Sequence, residues 1–330
     1  MTMQKCLSVL NCPRDYSMVK TMLPHQLRQW GRQVDEIVVY IDLGPQMVMH
    51  PIVSLIEELI KPWRSARIEI INYDSKIVNQ KFREIFKAYP KNVLKDWRGT
   101  AIYQYVYILT SSRNKYLLHM DSDMIFGGGS QTWMNEALQM MNSREEVIVC
   151  EPLSGPPSPT GPKKQRYLNA FQIDDQIVYK YQHIGTRIFL LHTERFFTVL
   201  GAQIPWQNVV TWKSLMNYHR TKSLAQLFEI MFSAGMKQHQ VFRLMFEGKE
   251  PGMWTLHPLY KPEKYIQKMG EIVSAVEAGN IPEKQRGEYD LAEAIMDVRP
   301  LKRKVKDFAK LLLELFFQPR CSLFSNETLP

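Results

Sequence analysis

The chain has 330 residues, a formal net charge of +9, 45% hydrophobic and 11% aromatic residues. That length allows one large domain or two small ones, and the composition excludes a globally disordered chain. Four cysteines, Cys6, Cys12, Cys150 and Cys321, show no paired zinc spacing, so a thiolate metal site is not expected and a reducing compartment is.

The N-terminus enters an apolar stretch without a signal-peptide pattern, and no apolar run reaches the ~18 residues of a membrane span, so a cytoplasmic protein is expected. The surplus of basic residues favours anionic partners such as nucleotide phosphates or acidic lipids. The basic residues are spread out and not interleaved with aromatics, which argues against nucleic acid.

In chain order, Lys5 to Asn11 reads as a buried strand ended by the loop Cys12-Pro13-Arg14-Asp15. Tyr16 to Trp30 has helical apolar spacing, with Pro24 expected to kink or break it. Glu36 to Ile41 is a second strand, ended by Asp42, and Ile52 to Ile60 an amphipathic helix. Arg67 to Tyr73 is a third strand, ended by Asp74. This alternation predicts a doubly wound, mostly parallel sheet, whose ligands bind beyond the C-terminal ends of the strands.

After a polar stretch rich in Lys and Arg, Thr100 to Thr110 reads as a buried helix with Arg98 at its N-terminus, where a cation and free amides suit an anion. Tyr116-Leu117-Leu118 then leads into Asp121-Ser122-Asp123 and three glycines. Residues two apart on a strand share a face, so the two carboxylates converge while Ser122 points away. Hard oxygen ligands in that arrangement suit Mg²⁺ or Mn²⁺ with positions left for a diphosphate. An isolated Asp-x-Asp occurs about once by chance in such a chain. Asp42 and Asp74 on the same edge lift this one above that background.

Beyond it, Thr132 to Met141 reads as a helix, Val147 to Cys150 as a strand and Gly155 to Lys164 as a long Pro/Gly-rich loop. Thr186 to Leu191 is a strand, Leu224 to Ala234 a helix ending at Gly235, and Gln240 to Met245 a strand. Phe308, Leu311, Leu312, Leu315 and Phe316 form one helical stripe near the C-terminus. Arg299 to Arg320 carries seven Lys or Arg against two acids. That helix either packs on the core or lies on an anionic membrane, at the inner face of a membrane in the latter case.

The order of strands ending in Asp42, Asp74 and Asp121-Ser122-Asp123, the strand TRIFLL and the late Trp254-Thr-Leu-His257-Pro258 together resemble a nucleotide-sugar-dependent glycosyltransferase of the GT-A fold, similar to the family 2 type. The resemblance covers roughly residues 5–258. It implies an α/β GT-A-like sheet flanked by helices with a C-terminal helical extension. Residues 1–150 would be the nucleotide-sugar half, 151–260 the acceptor and catalytic half, and 261–330 the extension.

It further implies a divalent metal, Mn²⁺ or Mg²⁺, at Asp121, Asp123 and His257. Donor contacts would come from Pro13, Arg14, Asp42, Asp74, Arg98, Asp121 and Ser122. Partners would be a nucleotide-sugar donor and a glycan, lipid-linked or small-molecule acceptor. The family's Pro-x-x-Asn-Arg turn lacks its asparagine here unless Asn11 substitutes. Glu229 stands in the register of the catalytic base, with Asp174, Asp175, Glu247 and Glu250 as rivals; retention would need no base. Alternatives are a nucleotidyltransferase, whose Gly-rich N-terminal signature is missing from LNCPRDYS, and a non-catalytic nucleotide- or carbohydrate-binding protein.

Overall fold

A computed structural model describes residues 4–91, 93–158, 170–173, 176–258, 261 and 263–291. Asp174, Asp175, most of the 155–164 loop and the basic 299–320 segment lie outside the described residues.

Strands β1 (Lys5–Asn11), β2 (Glu36–Ile41), β3 (Ala66–Ile70) and β4 (Tyr116–Asp121) pair in parallel in the order β3-β2-β1-β4. β9 (Ile188–His192) is antiparallel to β4 and to β6 (Val147–Ser154), so β6 again runs with the first four. β10 (Phe242–Phe246) pairs in parallel with β6. β8 (Gln176–Tyr181) and β7 (Ala170–Ile173) extend the sheet as antiparallel neighbours. The expected doubly wound, mostly parallel sheet is therefore present, with β9 reversed at its centre.

Near-continuous apolar runs form the inner strands because both faces are covered. On one face Leu7, Val9, Val39 and Leu118 pack against α1 (Tyr16–Trp30) and α2 (Ile52–Ile60). On the other Cys6, Val38, Tyr40 and Leu117 pack against α3 (Ser75–Ile85), α4 (Tyr103–Ser111), α6 (Thr193–Val199) and α8 (Phe228–Gln238). α5 (Trp133–Asn142) covers the first face beside β6, its Trp133 stacked on Phe246. α9 (Glu263–Glu277) closes the layer against α1, where Glu277 accepts from His25 and Arg28, both at 2.7 Å.

Several expectations shift at their edges. α1 runs through Pro24 without a break. α3 forms within the stretch read only as polar, because Asp74 caps it by accepting from the Lys76 and Ile77 amides. α8 starts later than expected and continues past Gly235. α7 (Trp212–Thr221), β7 and β8 carry no pattern that was recognised in the sequence. Among the described residues, no helix is long and apolar enough to cross a membrane.

Candidate functional site

The Asp121-Ser122-Asp123 turn is built by its neighbours. Asp121, last residue of β4, pairs with Leu10 of β1, and the Ser122 amide donates to the Leu10 carbonyl at 3.0 Å. From α1, the buried Gln26 donates to the carbonyls of Asp121 (3.0 Å) and Met124 (3.1 Å). The adjacent His25 accepts from the Phe126 amide through Nε2 (2.9 Å), which leaves the Nδ1 proton for Glu277. One turn of a buried helix therefore satisfies backbone groups that the tight turn leaves open.

The chain then forms β5 (Ile125–Gly127), antiparallel to β11 (Trp254–Leu256), with Leu256 opposite Ile125 and Trp254 opposite Gly127. This register sets His257 against Asp123. A Cβ on Gly127 would lie 2.0 Å from the Trp254 ring, so only glycine admits the pairing.

His257 Nε2 sits 3.5 Å from Asp123 Oδ2, both side chains buried, and Nδ1 faces Asp290 at 3.8 Å. Its ring stacks on Tyr289 (centroids 5.8 Å apart). Lys261 Nζ lies 2.7 Å from Asp123 Oδ2 and 3.8 Å from Asp15 Oδ1. Burial acts to raise the Asp123 pKa, but His257 and Lys261 outweigh it and hold the carboxylate well below its usual range. Burial lowers the His257 pKa, and the Asp123 and Asp290 carboxylates outweigh that to raise it. Asp123 Oδ1 is buried with no hydrogen-bond partner among the described residues.

Asp121 turns elsewhere. Its carboxylate lies 3.6 Å from His119 Nε2 and about as far from the Tyr105 hydroxyl (3.4 and 3.5 Å), and burial raises its pKa against the pull of His119.

A cleft of about 330 Å³ opens beside this group, lined by Glu151, His183, Arg187, Glu229, Arg243 and Tyr289 among others. Arg187 is half-buried and interacts electrostatically with Tyr289, Asp123 and Asp121, which outweigh burial and raise its pKa. Glu229, in the first turn of α8, is half-buried; burial raises its pKa against the charges of Arg187 and Arg98. Deeper in, Arg243 Nη1 meets Glu151 Oε2 at 2.5 Å, with both side chains nearly inaccessible.

The remaining sequence candidates are more dispersed. Asp42 accepts from the Tyr73 hydroxyl and the Gly44 amide, both at 2.8 Å, at the end of β2. Asp74 is exposed and caps α3 through one carboxylate oxygen, Oδ1. Pro13 begins a single 3₁₀ turn, and Arg14 is exposed. Arg98 is exposed over the Trp97 ring (5.0 Å). Glu247 and Glu250 are not among the residues lining the cleft.

Lys261, Asp15, Arg187 and Tyr289 were not singled out in the sequence. Lys261 follows His257 within one turn's length, and Arg187 opens an apolar strand; those positions were the only signals available.

Asp123 and His257 together fit a hard divalent cation, offering an unpaired carboxylate oxygen and an imidazole nitrogen. Among the described residues no group of three or more His, Cys, Asp or Glu could hold a metal. The protein's share of such a site is thus incomplete, and the rest of the sphere would fall to diphosphate oxygens and water.

No protein-family model matches the chain, and no curated protein matches it. Solved structures do show similarity. GalNAc-T7 with UDP, GalNAc and Mn²⁺ is 10% identical with a TM-score of 0.49, over 79% of this chain and 44% of that one. This chain therefore spans less than half of the GalNAc-T7 chain. TarS 1–349 of S. aureus with UDP-GlcNAc is 9% identical with a TM-score of 0.43, over 86% of this chain and 69% of that one. The galactosyltransferase LgtC with donor and acceptor sugar analogues is 10% identical with a TM-score of 0.38, over 86% of this chain and 99% of that one.

Proposed function

We propose that the protein is a metal-dependent glycosyltransferase, of the hexosyltransferase class, that moves a sugar from a nucleotide-sugar donor to an acceptor hydroxyl. The observation that carries this reading is the meeting of Asp123, with its unpartnered buried Oδ1, and His257 at the sheet's C-terminal edge, beside a cleft that holds Glu229.

In this reading Asp123 and His257 would hold Mn²⁺ or Mg²⁺, and Asp121 would have to leave His119 and Tyr105 to reach the donor ribose or the metal. When bound, the cation neutralises charge that develops on the departing diphosphate. Lys261 and Arg187 supply fixed positive charge to the same leaving group at no reorganisation cost. Asp42, supported by Tyr73, and Asp74 take the nucleoside, with Pro13, Arg14, Arg98 and Ser122 forming the rim of the donor site. Residues 1–150 supply the donor half, and 151–260 the acceptor half.

Glu229 takes the proton from the acceptor hydroxyl. Its raised pKa makes it a better base than an ordinary surface carboxylate. The acceptor, a glycan, a lipid-linked sugar or a small molecule, enters by the cleft that Arg243 and Glu151 floor. Direct attack with Glu229 as base gives inversion at the anomeric carbon.

A screen of nucleotide sugars with Mn²⁺ tests the reading, scoring nucleoside diphosphate release with and without acceptor mixtures. Glu229→Gln is expected to reduce transfer by roughly 10²-fold or more while leaving donor binding within about twofold. A fully active Glu229→Gln enzyme would remove Glu229 from the role. Donor binding without turnover by any acceptor would favour a binding protein of this fold.

A further inference from the structure

Helix α7 is turned inside out. It spans Trp212–Thr221, and its single buried residue is Ser214. Asn217 and Thr221, three and seven positions on, are its only partly buried residues. The strip that faces the body is therefore small and polar.

The opposite face carries Trp212, Leu215 and Met216, which are 76%, 50% and 57% exposed. Val210, just before the helix, is 70% exposed and Tyr218 46%. At ~100° per residue Trp212, Leu215, Met216 and His219 share one arc, opposite Ser214 and Thr221. An isolated exposed leucine is ordinary, but a contiguous apolar helix face that includes a tryptophan marks a surface that meets something.

The charge around it names the partner. No Asp or Glu occurs between Glu194 and Glu229, whereas Arg195, Lys213, Arg220 and Lys222 do. Lys213 and Arg220 fall on one flank of the apolar arc, and the exposed Lys222 caps the helix end. Lysine and arginine stems beside an apolar face can lie along a lipid surface with their charges at the headgroups.

We infer that α7 is an interfacial helix that docks on an anionic lipid surface through Trp212, Leu215 and Met216, with Lys213, Arg220 and Lys222 contacting headgroup phosphates. The helix abuts the segment carrying Arg98: Arg220 Nη2 donates to the Arg98 carbonyl at 3.4 Å, and Thr221 lies against Gly99. Docking there would hold the Arg98 segment, whose charge acts on Glu229 of the cleft, near the membrane, where a lipid-borne acceptor hydroxyl is presented. This last point rests on the transferase reading; the docking itself does not.

The test is co-sedimentation of the full-length protein with phosphatidylcholine vesicles, with and without about 30% phosphatidylglycerol. The wild type should bind the anionic vesicles at least tenfold more tightly than the neutral ones, and lose that preference in high salt. Trp212→Ser/Leu215→Ser/Met216→Ser and, separately, Lys213→Glu/Arg220→Glu should each weaken anionic-vesicle binding at least tenfold. Val48→Ser/Met49→Ser, at another exposed apolar pair, should leave it unchanged. Circular dichroism melts identical to wild type establish that the variants fold.

Failure of the wild type to bind, or unchanged binding by the α7 variants, overturns the proposal; the second result gives the membrane contact to another segment, such as residues 299–320. Loss of a dimer in the triple-serine variant, without loss of lipid binding, would assign the face to a second copy. Nucleotide-sugar turnover measured in parallel separates failure of docking from failure of the transferase reading.

Discussion

Lys261 Nζ lies 2.7 Å from Asp123 Oδ2, so an ammonium group stands on the carboxylate that the sequence singled out for a metal. The same carboxylate faces His257, and Asp15 lies within 3.8 Å of the ammonium. The ammonium is thus held in place by two carboxylates before any ligand arrives.

If Lys261 contacts the donor diphosphate, Lys261→Met should weaken nucleoside diphosphate binding about tenfold or more, equivalent to ~1.4 kcal/mol or more. Binding of the corresponding nucleoside without phosphates should be unchanged. Lys261→Arg should recover part of the loss. Calorimetric titration with the diphosphate and the nucleoside reads both effects.

The buried pair Arg243–Glu151 predicts a stability effect of a different kind. Arg243→Leu leaves the buried Glu151 carboxyl without its partner, and burial, already raising its pKa, then acts unopposed by that cation; the loss costs about 3–5 kcal/mol. Glu151→Leu/Arg243→Leu removes both charges and should recover most of that. Urea unfolding of the two single variants and the double variant gives the coupling; additive losses would show that the pair contributes nothing jointly.

Gly127→Ala would force a Cβ into the Trp254 ring and push β5 from β11. Overpacking of this type costs about 1–3 kcal/mol. Because that pairing brings His257 to Asp123, Mn²⁺-dependent donor binding should fall together with the melting temperature. Gly129→Ala, which meets no atom within 4 Å, should leave the His257–Asp123 contact intact, although its positive φ adds local strain. Thermal melts and Mn²⁺ titrations of the two variants distinguish register from strain.

His192 supplies a pH prediction away from the site. It is 3% exposed, accepts from the Arg195 amide at the start of α6, and packs edge-on against Tyr116. Burial, then the charges of Arg195 and Lys115, lower its pKa from 6.5 to about 4. The unfolded chain therefore takes up the proton first, so the contribution is fully present above pH 6.5 and lost as pH falls toward 4. Its ceiling is about 3 kcal/mol. His192→Asn keeps a capping acceptor without titrating, and should flatten the pH dependence of the urea midpoint in that window.

How much of this could be read from the chain depended on which forces shaped each part. β1, β2, α2 and the site strand β4 are legible because fully buried strands and amphipathic helices leave periodic apolar signatures. α3 hid in a polar stretch because only Val78, Phe82 and Ile85 are buried, and α7 because its inward face is polar. At the site, Asp123 and His257, far apart in the chain, lie 3.5 Å from each other. Asp121 faces His119, two residues earlier on the same strand, and Tyr105 of α4, a long-range contact that no local pattern encodes. Lys261, Asp15, Arg187 and Tyr289 reach the site from four separate segments, so only tertiary structure could assemble them.

The central claim is that Asp123 and His257 form the metal and diphosphate site of a nucleotide-sugar transferase. Titration of nucleotide sugars into the protein with Mn²⁺, with Mg²⁺ and with chelator tests it most directly, repeated on Asp123→Asn and His257→Ala. Metal-dependent binding of at least one nucleotide sugar, weakened at least tenfold in both variants while their melting curves stay cooperative, is the predicted result. If no nucleotide sugar binds, or if binding is indifferent to metal and to both substitutions, the account is contradicted.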